Sequence, residues 1–125
     1  MNWAILGAAL LALAVAMGAF GAHGLRKRLD AYSMSVYEKA VFYHFVHALG
    51  ILIVVLLART RAIPFPSLGL IGWLLFIGII LFSGSLYALA ISGVRALGAI
   101  TPIGGLLFIA GWIVLAAEVI RVQRL

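Results

Sequence analysis

Residues 41–50 read VFYHFVHALG. Two imidazoles, His44 and His47, stand three positions apart in a run otherwise fit for hydrocarbon. On a helix that spacing makes them neighbours, so two ring nitrogens can turn toward one centre, as ligand pairs do in helical bundles. The chemistry within reach is metal ligation, haem ligation or proton handling. His23 supplies the third and last imidazole. The competing reading is structural: neutral histidines bonded to hydroxyls and backbone carbonyls, holding packed helices together.

Composition narrows the setting. Of 125 residues, 66% are hydrophobic and 10% charged, whereas a soluble domain carries about 25% charged residues. The absence of cysteine removes disulfides, thiolate metal sites, iron–sulfur clusters and cysteine nucleophiles together. The net charge is +6, but the basic residues cluster at the ends of apolar runs. That is the pattern of anionic headgroups and the positive-inside bias, not of a nucleic-acid surface.

A bilayer crossing needs roughly 20 mostly apolar residues, and residues of about 3–23, 40–58, 67–91 and 97–120 meet that need. The first run lacks a basic leader and is too long for a signal peptide's apolar stretch, so it reads as a retained span. The expected fold is all-α: one transmembrane domain over 1–125, an integral membrane four-helix bundle. Between the first two spans, Leu25, Leu29, Tyr32 and Val36 form an apolar stripe at spacings of four, three and four. A short amphipathic helix over 26–39, lying in the interface, is expected there. Residues 59–66, with two prolines, and 92–97 read as short turns. Thr101-Pro102 reads as a helix start or an early kink.

Small residues recur at helical spacing. Ala4, Ala8, Ala12 and Ala16 share a stripe, Ala14 and Gly18 follow on another, and Gly72, Gly78, Gly84, Gly104, Gly105 and Gly111 punctuate the last two spans. Small residues let membrane helices approach closely, and no GxGxxG or Walker-type motif competes with that reading.

Four spans put both termini on one side, here called the terminal face; residues 26–39 and 92–97 lie at the opposite, loop face. Arg26, Lys27 and Arg28 follow the first span with no basic residue before it, which favours a cytoplasmic loop face. At ~1.5 Å per residue, His23 lies about 4–5 Å inside Arg26. On the same scale His44 is about 7–8 Å and His47 about 12 Å inside Lys39. Tyr43, Ser83, Ser85, Tyr87 and Thr101 fall in the same half of the bundle, while the other half is almost purely apolar. Polar groups in hydrocarbon are costly unless satisfied, so these side chains are expected to converge in a polar pocket open toward the loop face.

Four blocks, GAFGAHGL (18–25), YHFVHAL (43–49), LFSGSLYALAISG (81–93) and LGAITPIGGLLFIAGW (97–112), together resemble the domain-of-unknown-function 423 / transmembrane protein 256 family of small membrane proteins. The resemblance covers most of the chain in the expected order. It implies four spans and, as shared positions, Gly18, Gly21, His23, His47, Ser83, Ser85, Tyr87, Pro102, Gly104, Gly105, Gly111 and Trp112, with His44 less general. It carries no settled activity. Its eukaryotic branch implies an energy-transducing membrane.

The readings are weighed by what each needs. Zinc takes four ligands, or three plus water; His23, His44 and His47 could serve, but no acidic residue lies at their depth to orient an imidazole. A bis-histidine haem is disfavoured by the depth offset of roughly 7 Å between His23 and His47. A serine hydrolase pairing Ser83 or Ser85 with His47 lacks the flanking pattern of a nucleophile elbow. Glu118 and Arg121 read as an exposed pair of little weight, and the tryptophans as anchors or packing. The expectation is a non-enzymatic accessory, assembly or scaffold subunit of a membrane complex, with no cofactor. The alternative is a small carrier, channel or metal- or proton-handling protein using the histidine pocket. Expected partners are membrane lipids and a larger complex or homo-oligomer, with no nucleic acid. The expected location is the bacterial cytoplasmic membrane, both termini on its non-cytoplasmic side.

Overall fold

The chain's start and stop signals divide it as local physics requires. The computed structural model describes all 125 residues, Met1–Leu125, and is all-helical. Asn2 opens the first helix, α1 (Trp3–Phe20), its side-chain oxygen accepting the Ile5 N–H at 3.2 Å. The helix runs on into a π-helical turn over Gly21–Leu25. Asp30 caps α2 (Ala31–Arg59) by accepting the Ser33 N–H at 2.7 Å. Pro64 and Pro66 flank the start of α3 (Phe65–Ser92), where a missing N–H costs nothing. Gly93 ends α3 with φ of 72°, the left-handed conformation that glycine adopts without a Cβ clash. A 3-10 segment, Arg95–Ala99, leads into α4 (Thr101–Gln123), with Pro102 in its first turn.

All four helical stretches are long and apolar enough to cross a membrane. They form a flattened four-helix bundle: α2 and α3 are the central pair, α1 packs on α2, α4 packs on α3, and α1 and α4 do not pack on each other. The most apolar windows of α2 and α3 are accordingly 44% buried, against 17% for the two outer helices. The larger core lies toward the terminal face around Ile51, Val54, Ile71 and Leu75; a smaller one lies toward the loop face around Val36, Tyr37, Leu86 and Leu89.

Glycines set the approach distances by accepting large side chains. A Cβ on Gly72 would lie 2.7 Å from the Trp3 ring, one on Gly50 2.8 Å from Trp112, and one on Gly78 2.5 Å from Phe108. Gly21 receives the Tyr37 ring in the same way. Gly104 is different, because its neighbour is backbone: a Cβ there would meet the Phe82 N and lie 2.8 Å from the Phe82 Cβ. A side chain can move aside; a helix backbone can do so only by separating α3 from α4.

Three expectations change. The separate interfacial helix over 26–39 does not form: residues 26–30 make the turn, and 31–39 are the opening turns of α2. Its stripe is mostly a core face, with Leu25 and Val36 buried among Leu86, Leu89 and Ala90 while Tyr32 is exposed. Nothing between Asp30 and His44 breaks a helix, so once capped the chain continues. The Ala8, Ala12 and Ala16 stripe faces outward, and α1 packs instead through Trp3, Gly7 and Ala14. A Cβ on Gly84 would meet nothing within 4 Å, so this glycine makes room for no neighbour.

Two outcomes follow. Gly104→Ala should destabilise the fold by about 1–3 kcal/mol, the range for overpacking, whereas Gly84→Ala should hold or gain stability because alanine is the better helix former. Reversible unfolding in mixed micelles reads both. The Asp30 carboxyl is held below its ordinary 3.8, first by the Ser33 N–H, then by the Ser33 side chain and nearby Arg95. A depressed folded-state value means that the cap contributes fully above the unfolded value and is lost as pH falls through the folded one. Amide exchange at Ser33, corrected for intrinsic rate, should therefore accelerate on acidification below about pH 4, and Asp30→Ala should remove that dependence.

Candidate functional site

The loop-face half of the bundle holds the polar side chains, but as separate contacts rather than one pocket. His44 is 2% exposed and lies between three helices. Its Nδ1 is 2.9 Å from the Tyr87 hydroxyl of α3. Its Nε2 is buried with no hydrogen-bond partner and is the only such side-chain atom in the protein. That nitrogen faces the backbone of Leu10 on α1, which favours a proton on Nε2 and an Nδ1 that accepts from Tyr87. Tyr37, one face along α2 at i−7, bonds through its hydroxyl to the Met17 carbonyl and meets Tyr87 edge-on at 5.2 Å.

His47 turns the other way. Its Nδ1–H donates to the Tyr43 carbonyl one turn earlier at 2.7 Å. The ring stacks on Phe108 of α4, with centroids 3.4 Å apart and planes 9° from parallel, and touches Trp112. Tyr43 uses its ring rather than its hydroxyl, packing on Phe82 at 4.3 Å. Ser83 donates to the Ala40 carbonyl across the α2–α3 contact at 2.8 Å. Ser85 donates to the Phe82 carbonyl of its own helix at 3.0 Å and shares a 2.6 Å bond with Thr101 of α4.

Six of the eight sequence-predicted residues thus act in helix–helix contacts through polar atoms or stacked rings: His44 and Tyr87, His47, Ser83, Ser85 and Thr101. Tyr43 contributes packing. His23 stands apart, exposed in the π-helical turn. No serine–histidine hydrogen bond forms, and no three residues among His, Asp and Glu gather closely enough to hold a metal ion. His44 and His47 present their nitrogens to different neighbours, so neither the paired-ligand nor the nucleophile geometry is assembled.

Tyr37 is not among the sequence-predicted residues. Its signal is the seven-residue spacing to His44, which places both on one helix face once residues 31–39 join α2. A second omission lies at the terminal face, where Trp3, Val55, Arg59 and Leu68 line a cavity of about 530 Å³. A smaller one of about 130 Å³ sits between α1 and α2 beside Gly21 and Tyr37, with the Arg26–Glu38 pair (3.7 Å) at its edge. Neither is lined by His44 or His47.

Between membrane helices the loss of a hydrogen bond such as that of His44 and Tyr87 costs about 0.6 kcal/mol on average and at most about 1–2. Tyr87→Phe should therefore destabilise by that amount, because His44 would lose the partner of its one bonded nitrogen. The same change in a His44→Leu background should cost clearly less. A double-mutant cycle on unfolding free energies reads the coupling; additive losses would mean that the two side chains do not interact.

The geometry can be set beside other proteins. Residues 17–105 match the family described as protein of unknown function (DUF423). The chain is 54% identical over 111 residues to a UPF0382 membrane protein of Staphylococcus haemolyticus, covering 89% of this chain and 88% of that one. It is 52% identical over 117 residues to one of Staphylococcus epidermidis, covering 94% and 93%. With UPF0382 membrane protein YwdK of Bacillus subtilis the identity is 45% over 117 residues, covering 94% of each chain. No solved structure matches. Four membrane-length helices, the matched length and these relatives agree: the chain is a bacterial-type membrane protein that belongs to the DUF423 family of unknown function.

Proposed function

We propose that this protein is a non-enzymatic scaffold, an accessory or assembly subunit that docks on a larger membrane complex through the outer face of α1. One contrast supports the reading. Ala8, Ala12, Ala16 and Ala19 on the outer face of α1 are all exposed, between the larger Leu13 and Val15. The exposed faces of the other helices carry mostly large groups: Phe42, Val46, Leu49 and Ile53 on α2, Ile77 and Ile80 on α3, Ile103, Leu106, Ile109 and Ile113 on α4, with Ala88, Ala116 and Ala117 as isolated small residues. Lipid tails favour no small side chain, whereas a partner helix does, since small residues let backbones approach and gain dispersion energy. In this reading the polar contacts of the loop-face half stiffen the scaffold and turn over no substrate. The three basic residues after α1 orient the loop face to the cytoplasm and leave both termini outside.

The chain has no cysteine, so single cysteines report cleanly. Ala12→Cys in native membranes should crosslink to a different protein through a short bifunctional reagent, and Ile113→Cys should not. Ala12→Leu should abolish co-purification in mild detergent without loss of helix content. Recovery of this chain alone, or a crosslink only between two copies, would contradict the subunit reading.

A further inference from the structure

The groove of about 530 Å³ at the terminal face has no part in the contacts described above. Its walls are of two kinds. Trp3, Val55, Phe65 and Leu68 make it apolar, and Trp3 is braced from below by Trp73, edge-on at 5.3 Å. Arg59 supplies the one charged side chain, and no carboxylate lines the groove. The chain's two ion pairs are Arg26–Glu38 and Glu118–Arg121, so the Arg59 guanidinium is uncompensated. It is exposed, at the last turn of α2 and therefore at the membrane boundary.

The backbone reinforces that sign. The first turns of α1 and α3 both open onto the groove through Trp3, Ala4, Phe65 and Leu68. Each helix start carries about half a positive charge and the end of α2 about half a negative one. Together with Arg59 the groove is net positive. Its volume is in the range of small-molecule sites, roughly 300–1,000 Å³.

We propose that this groove is a binding site for an anionic phospholipid. The phosphodiester sits against Arg59 at the interface, and the upper part of one acyl chain lies over Trp3, Val55 and Leu68. The placement follows from depth: a guanidinium at headgroup level above an apolar slot matches a molecule with its charge at one end. A soluble anion would use Arg59 and leave the slot empty; a zwitterionic lipid would bring an ammonium with its phosphate and leave the groove's net positive charge uncompensated. The groove reaches the terminal end of the alanine stripe at Ala4, but it does not rest on the scaffold reading, and its test is read on the purified chain without a partner protein.

The test is native mass spectrometry of the delipidated full chain in a neutral detergent, titrated separately with phosphatidylglycerol, phosphatidylcholine and inorganic phosphate. Phosphatidylglycerol should form a one-to-one adduct at concentrations where phosphatidylcholine does not. Arg59→Gln should weaken it on the order of tenfold, the loss of one charge-assisted contact. Gly69→Leu should also weaken it: Gly69 lines the groove, and a Cβ there meets nothing within 4 Å, so the larger side chain fills the slot without disturbing the core. Arg124→Gln, at the far end of α4, should change nothing. Equal retention of the two lipids, full retention in both Arg59→Gln and Gly69→Leu, or a phosphate adduct with no lipid preference would each overturn the assignment.

Discussion

In a bilayer the helices gain little by hiding from their surroundings, because lipid tails are as apolar as leucine. What holds this protein together is therefore contact itself, and contact depends on where a helix has no side chain. Trp3 lies on Gly72, Trp112 on Gly50, Phe108 on Gly78, and Tyr37 on Gly21. Each aromatic makes many dispersion contacts of about 0.1–0.2 kcal/mol, and each needs the empty glycine position to reach them. The pairs also explain the shape. Trp3 carries α1 across to α3, and Trp112 carries α4 across to α2, so the outer helices are tied to both members of the central pair without packing on each other.

The polar contacts depend on that framework. His47 stacks on a Phe108 ring whose position is fixed over Gly78. The Ser85–Thr101 bond spans α3 and α4 one turn from the backbone approach at Gly104. Hydrogen bonds between membrane helices average about 0.6 kcal/mol and reach about 1–2, less than the cost of filling a packed glycine position. Their larger contribution is register: a slip of one turn between α2 and α3 would leave Ser83, His44 and Tyr87 unsatisfied together. His44 Nε2 is the exception, a buried nitrogen with no hydrogen-bond partner beside the Leu10 backbone.

Much of this is legible in the residues. Span number and the gathering of hydroxyls and imidazoles in one half follow from hydropathy and counting. The convergence of those groups on one pocket does not follow, because depth along a helix says nothing of azimuth. His44 and His47 differ by about 60° around α2, enough to send one toward Tyr87 and the other toward Phe108. His23 lies in line with Ala12, Ala16 and Ala19, so its outward position becomes readable only once Trp3, Gly7 and Ala14 are known to face inward. The interfacial helix fails because Leu25 and Val36 meet the end of α3, a tertiary contact that an amphipathic stripe cannot distinguish from lipid. The terminal-face groove is invisible for a similar reason: Trp3, Arg59 and Leu68 are separated in sequence and meet only when two helix starts and one helix end are brought side by side.

The dependence on glycine positions is tested most directly by a size exchange between Gly78 and Phe108. Unfolding free energies are needed for Gly78→Ala, Phe108→Leu and the double variant. If the aromatic ring and the absent Cβ are matched, each single change destabilises and the double variant recovers part of the loss, because the smaller side chain at position 108 leaves room for the methyl added at position 78. Strictly additive losses would contradict the account, since they would mean that helix approach at this point is set by something other than the ring over the glycine.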